Sequence, residues 1–196
     1  MNLVINLAIV KRLQTTEVLC DWRCPMNLHH QPTLTLFCGL PGSGKTTLAK
    51  QLEQTAKGIR ICTDDWQASL GIDHSNEEFH NMLQVRLYEL ALTLLRSDQD
   101  VILEDGIWQQ SERQQKRADA KRCNARTELH VFDIPLDELW RRLEYRNAHL
   151  THGAAPITRQ QLEGYWRIFQ RPDEHELRLF DAYIIYRSPL KEHYGY

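Results

Sequence analysis

The chain has 196 residues, with 24 Lys and Arg against 26 Asp and Glu, for a formal net charge of −2. At roughly 100–200 residues per domain this is one domain's worth of chain, and 42% hydrophobic with 26% charged residues suits a packed core under a solvated surface. The charge balance excludes binding to nucleic acid or membrane through bulk positive charge, and no apolar run approaches the ~18 residues needed to cross a bilayer.

Residues 1–32 read as an N-terminal extension, and a single domain is expected over 33–196. The apolar run Leu3–Val10 is short, is broken by Asn6, and has Lys11 and Arg12 after it rather than before, the wrong order for a secretory signal. Met26 lies shortly before the first strand and is a candidate start of translation. Cys20, Cys24, His29 and His30 could be imagined around zinc, but adjacent histidines converge poorly on a tetrahedron, so no zinc site is expected. Five cysteines are an odd number, and Cys38 and Cys62 sit in apolar stretches. Reduced, buried thiols in a cytoplasmic protein are the expectation.

From Thr33 onward strands alternate with helices. Leu34–Cys38 predicts a first strand and Lys45 to about Ala56 a first helix, followed by a strand over Ile59–Thr63. Ser75 with Glu78 predicts a capping box opening a helix with Phe79, Leu83, Leu87, Leu90 and Leu94 on its apolar face. Val101–Leu103 predicts the third strand, and Ser111 with Gln114 opens the next helix. Leu129–Phe132 predicts the fourth strand. A helix opened by Pro135 carries Leu136, Leu139, Trp140 and Leu143 on one side. Thr158 with Gln161 caps another, with Leu162, Tyr165, Trp166 and Phe169 as its stripe, and Ala182–Tyr186 closes as the fifth strand. Strands separated by helices imply right-handed crossovers and a parallel sheet, whose ligands bind beyond the carboxyl ends of the strands. The residues just after the strands are therefore the candidates for chemistry: Gly39 onward, Asp64–Asp65, Glu104–Asp105 and Asp133–Pro135.

Gly39-Leu40-Pro41-Gly42-Ser43-Gly44-Lys45-Thr46-Thr47 fits the Walker A pattern G-x-x-x-x-G-K-[ST], with a strand before it and a helix after it. Glycines let the backbone turn its N–H groups around a phosphate, and the helix N-terminus adds partial positive charge. Lys45 is placed to reach the terminal phosphates and the Thr46 hydroxyl to hold Mg²⁺. The expected fold is α/β: a three-layer P-loop NTPase fold with a mostly parallel five-stranded sheet, helices on both faces and a helical lid.

The acids narrow the chemistry. Transfer of a phosphoryl group to a hydroxyl needs a carboxylate that takes the hydroxyl proton, and one of Asp64 and Asp65 is suited to it. The bland alternative is that the pair caps a helix. Of Glu104 and Asp105, Asp105 is the candidate for the Mg²⁺ side with Thr46, because Gly106 allows close approach. Arg142 and Arg146, four apart on one helix face, precede a polar stretch from Asn147 to Ile157 that reads as a lid, and their guanidinium forks suit phosphate oxygens. Arg141 and Glu144 read as surface charge. Arg113, Lys116, Arg117, Lys121, Arg122 and Arg126 form a basic run that could track nucleic-acid phosphates but more often is a solvated helix face. No Asn-Lys-x-Asp stretch for guanine is present; Arg187 and Ser188, after the last strand, are candidates for contacts to the base.

Taken together, GLPGSGKTTLA, TDDW, VILEDG and VFDIPLDELWRRLEYRN resemble the predicted P-loop kinases of the AAA_33 type. These are related to chloramphenicol phosphotransferase, zeta-toxin-like kinases and the kinase domain of phage-type 5′-hydroxyl polynucleotide kinases. The resemblance runs from about Thr33 to Tyr186. It implies an ATP- and Mg²⁺-dependent kinase with Asp64 as general base, Asp105 near the Thr46–Mg²⁺ site, and Arg142 and Arg146 as lid arginines, Arg146 facing the transferring phosphate. Polynucleotide kinases of the phage type carry an Arg three residues after the base; here that position is Gln67. The acceptor expected is a hydroxyl on a small molecule. The alternatives are a 5′-hydroxyl polynucleotide kinase and, from another class, an ATP-binding regulatory switch without an acceptor.

Overall fold

The computed structural model describes residues 30–149 and 156–187. By compactness the chain divides into Met1–His30 and Gln31–Tyr196; Cys20, Cys24, His29, Met26, the lid centre at 150–155 and Ser188 lie outside the described residues. The element order is β1 (Thr33–Cys38), α1 (Lys45–Gln54), β2 (Ile59–Ile61), α2 (Thr63–Ser69), α3 (Glu77–Arg96), β3 (Val101–Gly106), α4 (Gln110–Arg122), β4 (Arg126–Phe132), α5 (Leu136–Ala148), α6 (Arg159–Ile168), α7 (Glu174–Leu177) and β5 (Ala182–Tyr186). The strands lie in the order β2-β3-β1-β4-β5, and every pairing is parallel. No helix among the described residues is long and apolar enough to cross a membrane.

The pleat sends alternate side chains to opposite faces and so builds two cores. Leu34, Leu36 and Cys38 of β1, Val101 and Leu103 of β3, and Leu129 and Val131 of β4 pack with Leu87, Ala91 and Leu95 of α3 and Ala120 of α4. Phe37, Ile102 and Phe132 point the other way, against Leu48 and Ala49 of α1, Leu139 and Leu143 of α5 and Leu162 of α6. The result is the three-layer P-loop NTPase architecture.

The stripes of α5 and α6 are those the periodicity predicts. On α3 the stripe is rotated: Leu87, Ala91 and Leu95 are buried, whereas Leu90 is exposed. Two caps also differ from expectation. Asn76 rather than Ser75 caps α3, its side chain accepting from Phe79 N at 3.0 Å, while Ser75 N donates to Asp73 Oδ1 at 2.8 Å in the turn before the helix. On α4 the Glu112 carboxylate accepts from Gln109 N at 3.0 Å, so the helix starts before Ser111. The Thr158–Gln161 cap forms as expected, Gln161 N donating to Thr158 Oγ1 at 3.2 Å. Cys38, Cys62 and Cys123 are buried free thiols.

The basic run after Ser111 is not a uniformly solvated face. Arg113 is fully buried and forms a fork with Glu176 of α7, Nε to Oε1 at 2.6 Å and Nη2 to Oε2 at 2.9 Å; its Nη1 donates to Trp108 O at 3.0 Å. Lys116 lies 3.9 Å over the Tyr88 ring, and Arg122 pairs with Asp119. Removing one member of a buried ion pair strands the other charge, at a cost of about 3–5 kcal/mol. Arg113→Ala is therefore expected to lower the unfolding midpoint by roughly 6–20 °C, read by circular dichroism. An unchanged midpoint would contradict the buried-pair account.

Candidate active site

The loop between β1 and α1 crosses the carboxyl end of the sheet. Gly42 has φ +78°, and a Cβ there would lie 2.9 Å from Leu143 Cγ and 3.2 Å from Leu139 O. Both the left-handed backbone and the close packing of α5 therefore require glycine. Gly44, at φ 104°, forms the N-cap of α1, so the free N–H groups of the helix's first turn open toward the loop. Gly39, Leu40, Pro41, Gly42, Ser43, Gly44, Lys45, Thr46 and Thr47 form one continuous turn from β1 into α1.

Lys45 Nζ donates to Gly39 O and Leu40 O, both at 2.9 Å. Burial lowers its pKa to about 8, against the opposing pull of Glu104, Cys38 and Asp64 and with the push of Arg146. These influences place Lys45 amid the acids of β3 and α2 and the arginine of α5. Trp108 closes the side of the loop, its Nε1 donating to Gly39 O at 3.1 Å, and its ring meets Tyr165 at 5.0 Å. A Cβ on Gly106 would stand 2.9 Å from that Trp108 nitrogen and 3.4 Å from Lys45 Cε.

Glu104 and Asp105 face different surroundings. Burial raises the pKa of Glu104, and Thr46, Arg60 and Lys45 are among the groups that oppose the rise. Asp105 instead accepts from Thr63 Oγ1 at 2.9 Å, and its pKa is also raised by burial, opposed by Thr63 and Lys116. The pleat explains the difference. Glu104 continues the parity of Ile102, which faces α1, while Asp105 continues that of Leu103, which faces α3. The pairing of β3 with β1 also slips here, from Leu36↔Leu103 to Phe37↔Gly106, so two extra residues bulge at Glu104 and Asp105. Hard oxygens from a hydroxyl and a buried carboxylate are the donor set that suits Mg²⁺.

Asp64 and Asp65 start α2 and face different ways. Asp65 is bound by Arg60, Nη1 to Oδ2 at 2.7 Å. Asp64 is 70% exposed, with His80 Nδ1 at 3.8 Å and His74 Nδ1 at 4.0 Å from its Oδ1, and its charge acts on both Lys45 and Arg146. Of the two acids, Asp64 is the one whose charge acts on Lys45 and Arg146, whereas Asp65 is held by Arg60. Gln67, one turn on, is fully buried. Its Nε2 donates to Asp73 O and its Oε1 faces His80 Nδ1, both at 2.8 Å.

From α5, Arg142 Nη1 lies 3.3 Å from both Gly42 O and Ser43 O, and its Nε donates to Glu138 at 2.7 Å. Arg142 Nη2 and Arg146 Nε are buried with no hydrogen-bond partner among the described residues, as is Ser43 Oγ. Burial lowers the pKa of Arg146, with Asp64 opposing. Buried donors of this kind are costly unless something accepts from them. Arg141 is 68% exposed and pairs with Glu138, as surface charge does. Arg187 lies 3.8 Å from Asp133, which Arg171 also meets at 3.3 Å. Arg60 is the site residue that the sequence reading missed. A charged residue between Ile59 and Ile61 in an otherwise apolar strand was its only signal.

The fold recurs among solved structures. A kinase candidate from Chloroflexus aurantiacus J-10-fl is 21% identical with a TM-score of 0.65, over 84% of this chain and 92% of that one. Kti12 of Chaetomium thermophilum, solved with ADP-AlF₃, is 19% identical with a TM-score of 0.59, over 79% and 88%. A chain of the Pnkp1/Rnl/Hen1 RNA repair complex is 24% identical with a TM-score of 0.62, over 80% of this chain but 48% of that one, so this chain spans about half its length. No curated protein matches the sequence. The AAA domain family AAA_33 matches residues 34–172, a span that holds the loop, both acidic strand ends and the two arginines of α5: the chain is a member of the AAA_33 family, built on the fold of its P-loop kinases.

Proposed function

We propose that residues 33–196 form a cytoplasmic kinase that transfers the γ-phosphate of ATP, with Mg²⁺, to a hydroxyl of a small-molecule acceptor. What supports this reading is that the charges of Asp64 on α2, Lys45 on α1 and Arg146 on α5 act on one another. A nucleotide switch needs the loop and the metal side, but has no use for a carboxylate on α2 whose charge acts on the loop lysine.

The loop N–H groups and Lys45 hold the β- and γ-phosphates, and Arg142 and Arg146 supply donors to the oxygens that gain charge during transfer. Mg²⁺, held by Thr46 and Glu104, would neutralise phosphate charge. The acceptor oxygen attacks the γ-phosphorus, the bond to the β–γ bridging oxygen breaks, and the hydroxyl proton passes to Asp64. Gln67 favours a small acceptor: buried, and with both ends of its amide engaged, it offers no cation to a polynucleotide phosphate.

The test is a panel of hydroxyl-bearing metabolites and a 5′-hydroxyl oligonucleotide incubated with γ-labelled ATP. Label on a metabolite supports the reading. Label on the oligonucleotide alone turns it into a polynucleotide kinase, and ATP binding without label on any compound favours the switch.

Lys45 adds a pH dependence. With a pKa of about 8, it is charged at pH 7 and mostly neutral at pH 9. Bound phosphates favour the ammonium, so binding above pH 8 must take up a proton. ATP affinity is expected to fall as pH rises from 8 to 10, by at most about tenfold per unit. Calorimetry at pH 9 in two buffers of different ionisation enthalpy reads the uptake directly; no uptake at pH 9 would contradict the perturbed lysine.

A further inference from the structure

Arg60 belongs to β2, at the edge of the sheet, yet its side chain is only 7% exposed. Its Nε lies 2.9 Å from Glu104 Oε2, an ion pair in which neither atom is aligned for a hydrogen bond; both of its terminal nitrogens bond Asp65, and Glu53 stands 3.9 Å away. Glu104 itself is 3% exposed, and Thr46 at the start of α1 is among the groups that act on its carboxylate. One planar cation therefore ties the carboxylate that meets the phosphate loop to the residue next to Asp64. A buried ion pair contributes little net stability compared with apolar side chains of the same size, so stability alone does not account for this arrangement at this place.

We propose that Arg60 is a positioning residue that fixes Glu104 toward Thr46, so that a divalent cation meets a preformed pair of oxygens, and that also pins the first turn of α2. The inference rests on the phosphotransferase reading above. Lys45 is the other cation whose charge acts on Glu104. A Glu104 released from Arg60 can turn to that ammonium, which takes it away from Thr46. The fork matters as well as the charge, because an ammonium is a point donor that cannot hold two carboxylates in a fixed plane.

Arg60→Lys keeps the charge and removes the fork, so it isolates orientation from simple electrostatics. Mn²⁺ affinity of the ADP-bound protein, measured by electron paramagnetic resonance, is expected to weaken about tenfold, the lower end of what outer partners of metal ligands contribute. ADP affinity without metal, held by the loop and Lys45, is expected to stay unchanged. Should R60K fail to fold, Asp65→Asn loosens the same guanidinium from its outer end at a side chain that is 52% exposed, and Mn²⁺ affinity is expected to fall in the same direction. A folded variant that binds Mn²⁺ as tightly as the natural chain overturns the inference. A natural chain that binds no ADP at all overturns the phosphotransferase reading instead.

Discussion

Asp64→Asn is expected to lower the rate of phosphoryl transfer by about 10²–10⁴-fold, the usual worth of a general base, while ATP affinity holds. The two effects separate because Asp64 touches none of the groups that cradle phosphate. Its side chain is 70% exposed, with the nearest basic nitrogens those of His74 and His80, so the substitution strands no buried partner and the fold should be unaffected. The amide keeps the shape but cannot accept the hydroxyl proton. Single-turnover transfer from γ-labelled ATP to the acceptor found in the panel, set beside calorimetric ATP binding, reads both quantities. Full transfer by D64N would remove the base from the mechanism. Loss of ATP binding in D64N would mean that the acid serves the nucleotide and not the acceptor.

Lys45→Met is expected to lose at least about 10²-fold in transfer, as when a single charge-stabilising donor is removed from a transition state, and to lose ATP affinity as well. Stability should move the other way. Burial already disfavours the Lys45 ammonium, so a side chain of similar length without charge removes a desolvation cost, and the unfolding midpoint is expected to hold or rise. This is the trade expected where an active site keeps a charge the fold does not want. The contacts given up are those to Gly39 O and Leu40 O, and each carbonyl keeps a second donor, Trp108 Nε1 for Gly39 and Ser43 N for Leu40. A K45M protein that melts well below the natural chain would show that the lysine is structural.

Much of this architecture is written locally in the chain. The phosphate loop is legible because its requirements are local: glycine at a positive φ in Gly42 and Gly44, a strand before and a helix after. The five strands announce themselves by short β-branched and aromatic runs between helical stripes, and the parallel order then follows from the crossovers. The stripe of α5, ending with Arg142 and Arg146 on a neighbouring face, is equally plain.

What the sequence hides depends on pairing at a distance. Telling Glu104 from Asp105 needs the parity of β3 against β1, and the strand bulges just there. Arg60 draws its partners Glu53, Asp65 and Glu104 from three separate elements. The α2 helix has seven residues, of which Thr63 and Gln67 alone are buried, too few to make a stripe. Likewise α7 has four, and its role is to present Glu176 to Arg113, 63 positions away. Arg113 hides for the same reason, since a charged side chain buried by a distant partner is written like one that faces water.

The most direct measurement is a calorimetric titration of the purified chain with ATP in the presence of Mg²⁺ at pH 7. The account predicts saturable binding at one site, abolished or greatly weakened in K45M and retained in D64N. Failure of the natural chain to bind ATP or any other nucleoside triphosphate under those conditions would contradict it.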